Sequence, residues 1–350
     1  MSTALRSAPS EEAAVEALHA ASWTDGLPVV VPTPERVDRM VLAGGLDPDL
    51  VLATIGPSGA AATVEKIAVN AVMAGCLPDA FPVVLAAVRA VTDEAFDLHE
   101  VQATTHGLAP LLIVNGPARR ACAIASGFGA LGPGHRANAT IGRALRLVLM
   151  NIGGARPGVG DMAVLGHGSK FTYCLAEAEE ESPFAPLHTT RGFTADESAV
   201  TVAGVEAPHS VMCMLVADDP HLADRLLDLL AGTIANVGSN TLYAPGGTTV
   251  VCLNPEHARV LADAGLDRHD VIERLRAATT ARRGDLLAHN PSPLIFGDPD
   301  DEVQAIADED RLLLVVAGGP GFYSFVMPPW GAGSHSNSAV SRPVVLDEVC

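Results

Sequence analysis

Charge is scarce in this chain of 350 residues. Only 18% of the residues are Asp, Glu, Lys or Arg, whereas 48% are hydrophobic. Such a composition excludes a disordered chain and calls for extensive burial, including at a subunit interface, so a homo-oligomer is expected. Positive charge is scarcer still, with 22 Lys+Arg against 41 Asp+Glu and a net charge of −19. Nucleic acid and acidic membranes need a basic footprint on their partners, and this balance speaks against both. No stretch reaches the roughly 18 apolar residues of a membrane span. The start, MSTALRSAPSEEAAVEAL, has no apolar run of signal-peptide length and turns acidic early. The six cysteines (Cys76, Cys122, Cys174, Cys213, Cys252, Cys350) show no CxxC spacing. In a chain of this size they read as reduced thiols, and a soluble cytoplasmic protein is expected. Also missing are the GK[ST] of a phosphate-binding loop, the HExxH of a zinc helix and the GxSxG of a hydrolase elbow.

What is present is alternation. Four apolar runs, LLIVNGP ending at Pro117, AVTVAGVEAP (199–208), TTVVCLNP (248–255) and RLLLVVAGGP (311–320), each close in a proline turn. Runs of that length suit strands buried on both faces. Helical patterns surround them, at 10–21, 63–75, about 79–95 with Pro82 in its first turn, 136–153, 219–236 and 255–283. The fold class is therefore α/β, with buried strands alternating with helices and a hint of internal pseudo-duplication in the repeated strand-then-proline unit. The expected organisation is a helical lead-in over 1–24, a first α/β half over 25–195, a second over 196–343 and a tail over 344–350.

Four segments carry the polar chemistry. In GALGPGHRANATIGRALRLVL (129–149) a glycine-rich turn runs into a helix start with His135, Arg136 and Asn138, followed by Arg143. Free helix N–H groups and an arginine there suit a carboxylate or phosphate; a plain helix cap with surface arginines is the other reading. In HGSKFTYCLAEAEEESPFAPLH (167–188), a helix over CLAEAEEE would put Cys174, Glu177 and Glu181 on one face, with Lys170 and Tyr173 just before it. Crowded carboxylates raise one another's pKa and suit general acid work; a solvated acidic face is the bland alternative. His106, His167 and His188 with Glu177 are ligand types for zinc or iron, although their spacing is not compact. The sequence requires no cofactor, and a metal stays open. In TVEKIAVNAVMAGC, Glu65, Lys66 and Asn70 interrupt an apolar helix, and Cys76 at its C-terminal end makes a poor nucleophile. Near the C-terminus, GGPG and SHSNS offer backbone N–H groups and the side chains Ser334, His335, Ser336 and Asn337 for an oxyanion, or form a tail.

Taken together, DGLPVVVPT, TVEKIAVNAVMAGC, LLIVNGP, GPGHRANATIGRALRL, NIGGARPG and YCLAEAEEESPFAPLH resemble the large component that accompanies, or is fused to, the selenocysteine-Gly-Ser-Cys (UGSC) family proteins. The resemblance runs from about Asp25 to about Pro343. It implies a small-molecule enzyme working with a partner that bears a thiol or selenol. This chain has no Cys-Gly-Ser-Cys and stops at Cys350 after SRPVVLDEV. A separate small subunit then supplies the thiol, or the chemistry proceeds without one. The expectation is an enzyme, a lyase or oxidoreductase rather than a hydrolase, acting on a small anionic substrate. His135, Arg136, Asn138, Arg143, His106, Ser334, His335 and Asn337 would bind it; Lys170, Tyr173, Cys174, Glu177 and Glu181 would carry catalysis. A metal-dependent hydrolase or hydratase and a non-catalytic binding or scaffold subunit are the alternatives. The first reading requires Arg136 and Glu177 to face one cavity.

Overall fold

The computed structural model describes residues 6–291 and 297–346; Cys350 and the last part of the expected tail lie outside the described residues. All four apolar runs form strands: Ala109–Asn115, Ala199–Val205, Thr249–Leu253 and Leu312–Val316, with every residue buried. Alternation along each strand shows why two apolar faces are needed. Leu112, Val114, Val200 and Val202 pack outward against one group of helices. Val251, Leu253, Leu312 and Leu314 pack outward against another. Leu111, Ile113, Ala203 and Val205 meet Val250, Cys252, Leu313 and Val315 in between. The result is four layers, helices–sheet–sheet–helices, with three cores.

The two sheets repeat one pattern. In the first, Cys174–Ala176 runs parallel to Ala109–Asn115, which is antiparallel to Ala199–Val205, which is antiparallel to Val340–Pro343. In the second, Leu312–Val316 is parallel to Thr249–Leu253, which is antiparallel to Tyr323–Met327, which is antiparallel to His209–Met212. Three strands of each sheet come from one stretch of chain, residues 109–205 for the first and 249–327 for the second. The fourth strands are exchanged: His209–Met212 follows the first trio but joins the second sheet, and Val340–Pro343 follows the second trio but returns to the first. Internal duplication is thus visible in the topology. The first sheet draws strands from both sides of the 195/196 division expected from the sequence, and Val344 packs into its helix-side core.

Local signals position the outer helices. Thr63 caps Val64–Ala74 by accepting from Lys66 N, and Gly75 ends it with φ +89. Phe81–Val91 begins with a proline in its first turn and is buried along nearly its whole length. Arg136–Asn151 presents Ile141, Ala144, Leu145 and Val148 inward. Asn70 Oδ1 accepts from Asn151 Nδ2 at 2.7 Å, which ties two of these helices together and satisfies a polar residue inside an apolar helix. Among the described residues no helix is long and apolar enough to cross a membrane.

Candidate functional site

The glycine turn and helix start at 129–143 hold the protein's own loops. Asn138 accepts from Ala125 N at 2.8 Å and donates to Ala125 O and Ala130 O. Arg136 donates through Nε and Nη2 to Gly75 O, the end of the neighbouring helix. His135 Nε2 meets Phe128 O at 2.9 Å. Arg143 grips Asp25 with two bonds of 2.7 Å and donates to Pro28 O. Carbonyls and one carboxylate of the chain therefore take the donors expected for a ligand. Residues 127–132, GFGALG, do have GxGxxG spacing, but the loop follows the helical turn Ala118–Ala121 instead of a strand, so the dinucleotide-binding context is missing.

The glutamate segment differs from its expected form. CLAEAEEE is not a helix: Cys174–Ala176 is a short strand, and 177–182 turn away from it. Pairing with Ala109–Asn115 wins over helical propensity here, because three apolar residues fill the sheet edge. Cys174, Glu177 and Glu181 consequently share no face. Burial pushes the Cys174 thiol far up and removes it as a nucleophile. Glu177 is fully buried and accepts from Asn115 Nδ2 at 2.6 Å and Leu187 N at 2.7 Å, with Arg268 Nη2 at 3.4 Å. Burial raises its pKa, and the Arg268 charge works against that. Glu179 and Glu180 clamp Arg119 at 2.6 and 2.8 Å, while Glu181 is exposed. These groups cement the carboxyl ends of the parallel pair, where an open α/β sheet would otherwise bind a ligand. Glu177 and Arg136 share no partner, and neither lines any of the five principal clefts.

The C-terminal nest does hold an anion, supplied by the chain. Asp97 Oδ2 accepts from His335 N at 2.9 Å and Asn337 N at 3.0 Å. Burial would raise the Asp97 pKa, yet these N–H groups and the His335 ring hold it below its ordinary value. Asn337 Nδ2 donates to Gly204 O, and Ser334 and His335 line a shallow cleft beside Asp97.

The metal set of His106, His167, His188 and Glu177 does not converge. His106 pairs with Glu206 at 2.6 Å, His167 Nε2 donates to Gly107 O, and His188 is fully buried with its nearest carboxylate, Glu179, at 3.9 Å. Among the described residues, the grouping of ligand atoms within 4.8 Å of one another is His269, Glu273 and Glu309, on the surface. His269 and Glu309 also line a cleft of about 650 Å³. Its two arginines are occupied: Arg191 by Ser341 and Ala339 O, Arg268 by Leu314 O, Ala185 O and Glu177.

Chemistry gathers instead at the opposite end of the parallel pair. A cleft of about 330 Å³ is lined by Asp25, Arg146, Asp161, His167, Lys170 and Phe171, among others. Arg146 Nη1 at 3.1 Å and Lys170 Nζ at 2.9 Å rest on the same oxygen of Asp161. Arg143 already neutralises Asp25. This wall therefore carries two cations against one anion, an excess positive charge in a desolvated place. Burial, then Arg146, lowers the Lys170 pKa. Burial and the Lys170 charge likewise hold the His167 pKa down, the Gly107 carbonyl opposing them. His167 donates Nε2–H to that carbonyl, so Nδ1 is the acceptor, and it is buried without a protein partner. Tyr173 donates to Glu206 O at 3.0 Å, next to His106.

Of the residues expected from the sequence, Lys170 and His167 meet in this cleft, with Arg143 at its edge through Asp25. Arg146 and Asp161 were missed. Neither carried a sequence signal; the one signal for this cleft lay with lysine, for the chain has 20 arginines and only two lysines, Lys66 and Lys170. Where arginine serves nearly every cationic role, a buried lysine marks a position where a releasable proton matters, since arginine keeps its own. Comparison of the chain with family models, with curated proteins and with solved structures finds no match.

Proposed function

We propose that this chain is an enzyme that binds a small anionic substrate in the Lys170 cleft and moves a proton with Lys170. One observation carries the reading: Arg146 and Lys170 share a single carboxylate oxygen, which leaves a buried surplus of positive charge. Either an anion or loss of the Lys170 proton relieves that surplus, and both are what such an enzyme uses. His167, which lines the same cleft and whose Nδ1 is an acceptor without a protein donor, would relay the proton in this reading. The resemblance of YCLAEAEEESPFAPLH and its companion strings to the UGSC-associated large component supports a small-molecule enzyme, and breaking or forming a carbon–heteroatom bond fits a lysine base. The five described cysteines are buried with raised pKa values, which makes each of them a poor nucleophile.

The test uses small carboxylates. Ligands that bind only the folded chain raise its unfolding temperature by mass action. Acetate, malonate and pyruvate are expected to do so saturably, and the protein is expected to speed exchange of the methyl protons of pyruvate in heavy water, read by proton NMR. Lys170→Met, folded as the parent by thermal unfolding, is expected to lose at least about a hundredfold of that exchange, the scale of a general base. Absence of both saturable binding and exchange in the parent protein would remove the proposal.

A further inference from the structure

We infer that Lys170 is also a nucleophile, condensing with the carbonyl of a 2-oxo acid whose carboxylate lies on Arg146 and whose side chain is apolar. This rests on the reading of the cleft given above and adds a covalent step and a substrate class. Arg146 spends Nε on Lys170 O at 2.8 Å and Nη1 on Asp161 at 3.1 Å. Its Nη2 has no acceptor among the described residues. Lys170 Nζ sits on the same Asp161 oxygen, so a carboxylate and an adjacent carbonyl carbon can be presented to two neighbouring nitrogens. A desolvated lysine beside another cation is the environment that frees an amine for attack on a carbonyl.

The rest of the lining is apolar, with Met150, Ala155, Ala163 and Leu165. At the mouth, Leu165 is 98% exposed and its neighbour Val164 77% exposed. An unpartnered apolar rim over a charged floor suits a ligand with a polar head and an apolar tail.

The step balances without an outside reagent. The free amine of Lys170 attacks the carbonyl carbon, a C–N bond forms, and the carbonyl electron pair moves to oxygen. The two protons lost from nitrogen pass in turn, by way of His167 Nδ1, to that oxygen: the first gives the carbinolamine, and with the second the oxygen leaves as water. The C=N bond that remains draws electrons from the neighbouring carbon and acidifies its protons; hydrolysis returns the lysine. Nothing is oxidised or reduced.

The full-length protein is incubated with pyruvate, 4-methyl-2-oxopentanoate or phenylpyruvate and sodium cyanoborohydride, then mapped by peptide mass spectrometry. With two lysines in the chain, the sites are countable. Reduced adduct is expected on Lys170 at least about tenfold faster than on Lys66, because a carboxylate held on Arg146 brings the carbonyl to Lys170 and not to Lys66. It is expected to be faster with the apolar acids than with pyruvate, slowed by 3-methylbutanoate, and absent at that position in Lys170→Arg. Comparing Lys170 with Lys66 inside one molecule keeps the result independent of how a variant folds. Equal or faster labelling of Lys66, or no adduct at all, overturns the inference. Pyruvate proton exchange without adduct overturns the imine alone, whereas absence of both exchange and carboxylate binding overturns the underlying reading too.

Discussion

Asp161 is the residue whose loss the cleft should feel most. Its carboxylate is the counter-charge for both Arg146 and Lys170, each nearly buried. Removing one member of a buried ion pair strands its partner, a cost of about 3–5 kcal/mol. Asp161→Asn is expected to lose stability on that scale in urea unfolding at neutral pH, and less at high pH, where Lys170 can shed its proton. The sign for the parent protein follows from the lowered Lys170 pKa. Below the ordinary lysine value of 10.5 the unfolded chain holds a proton that the native state holds less firmly, so stability rises with pH as that value is approached from below. Lys170→Met is expected to flatten that rise. An unchanged slope in Lys170→Met would mean that Lys170 does not set it. The thiols give a second residue-scale test. Burial pushes Cys76 and Cys252 to about 12 and Cys122 to about 11. In native protein, Ellman's reagent is expected to titrate no more than one thiol per chain, Cys350 being outside the described residues. Fast reaction of a second would contradict their burial.

At the scale of elements, helix Arg136–Asn151 aims the Lys170 segment. A Cβ at Gly142 would stand 2.5 Å from Tyr173 N and from Thr172 Oγ1, so the backbone leading out of Lys170 lies directly on the helix. Gly142→Ala is expected to cost about 1–3 kcal/mol, as overpacking does. It should also impair Lys170 labelling, and a variant with parental stability and labelling would show that this close approach is dispensable. Much at this scale was legible. The helix starting at Arg136 was read with its first residue in place, and the four proline-ended runs became strands. CLAEAEEE misled because i, i+3, i+7 spacing also occurs by chance in a strand followed by a turn. Deciding it required the partner strand, Ala109–Asn115, sixty residues away. The anion nests were legible in kind, but Asp97 takes the place expected for a ligand, a fact of distance in space.

For the whole molecule, exchanged fourth strands make each sheet depend on the other half. A fragment ending at residue 195 lacks two of the four strands of the first sheet and all of the second. It is expected to stay unfolded by circular dichroism, and the intact chain to unfold in one cooperative transition. Amide hydrogen exchange in Ala109–Asn115 and in Leu312–Val316 would report from the two sheets, and clearly different opening free energies would speak against this coupling.

Composition and pattern were enough to determine a large buried α/β fold with strands apolar on both faces, because periodicity and burial are written in local order. Twenty arginines beside two lysines mark Lys66 and Lys170 alike, and nothing in local order chooses between them. Only tertiary structure decided which polar groups meet. The charge surplus at Asp161 comes from a helix residue, Arg146, and a residue of a 3-10 turn, Lys170, brought onto one of its oxygens. Arg136 and Glu177 are equally polar, but they were drawn into holding loops and strand ends. Coulomb attraction and desolvation act through space, so partnership follows the packing of layers and not the order of the chain.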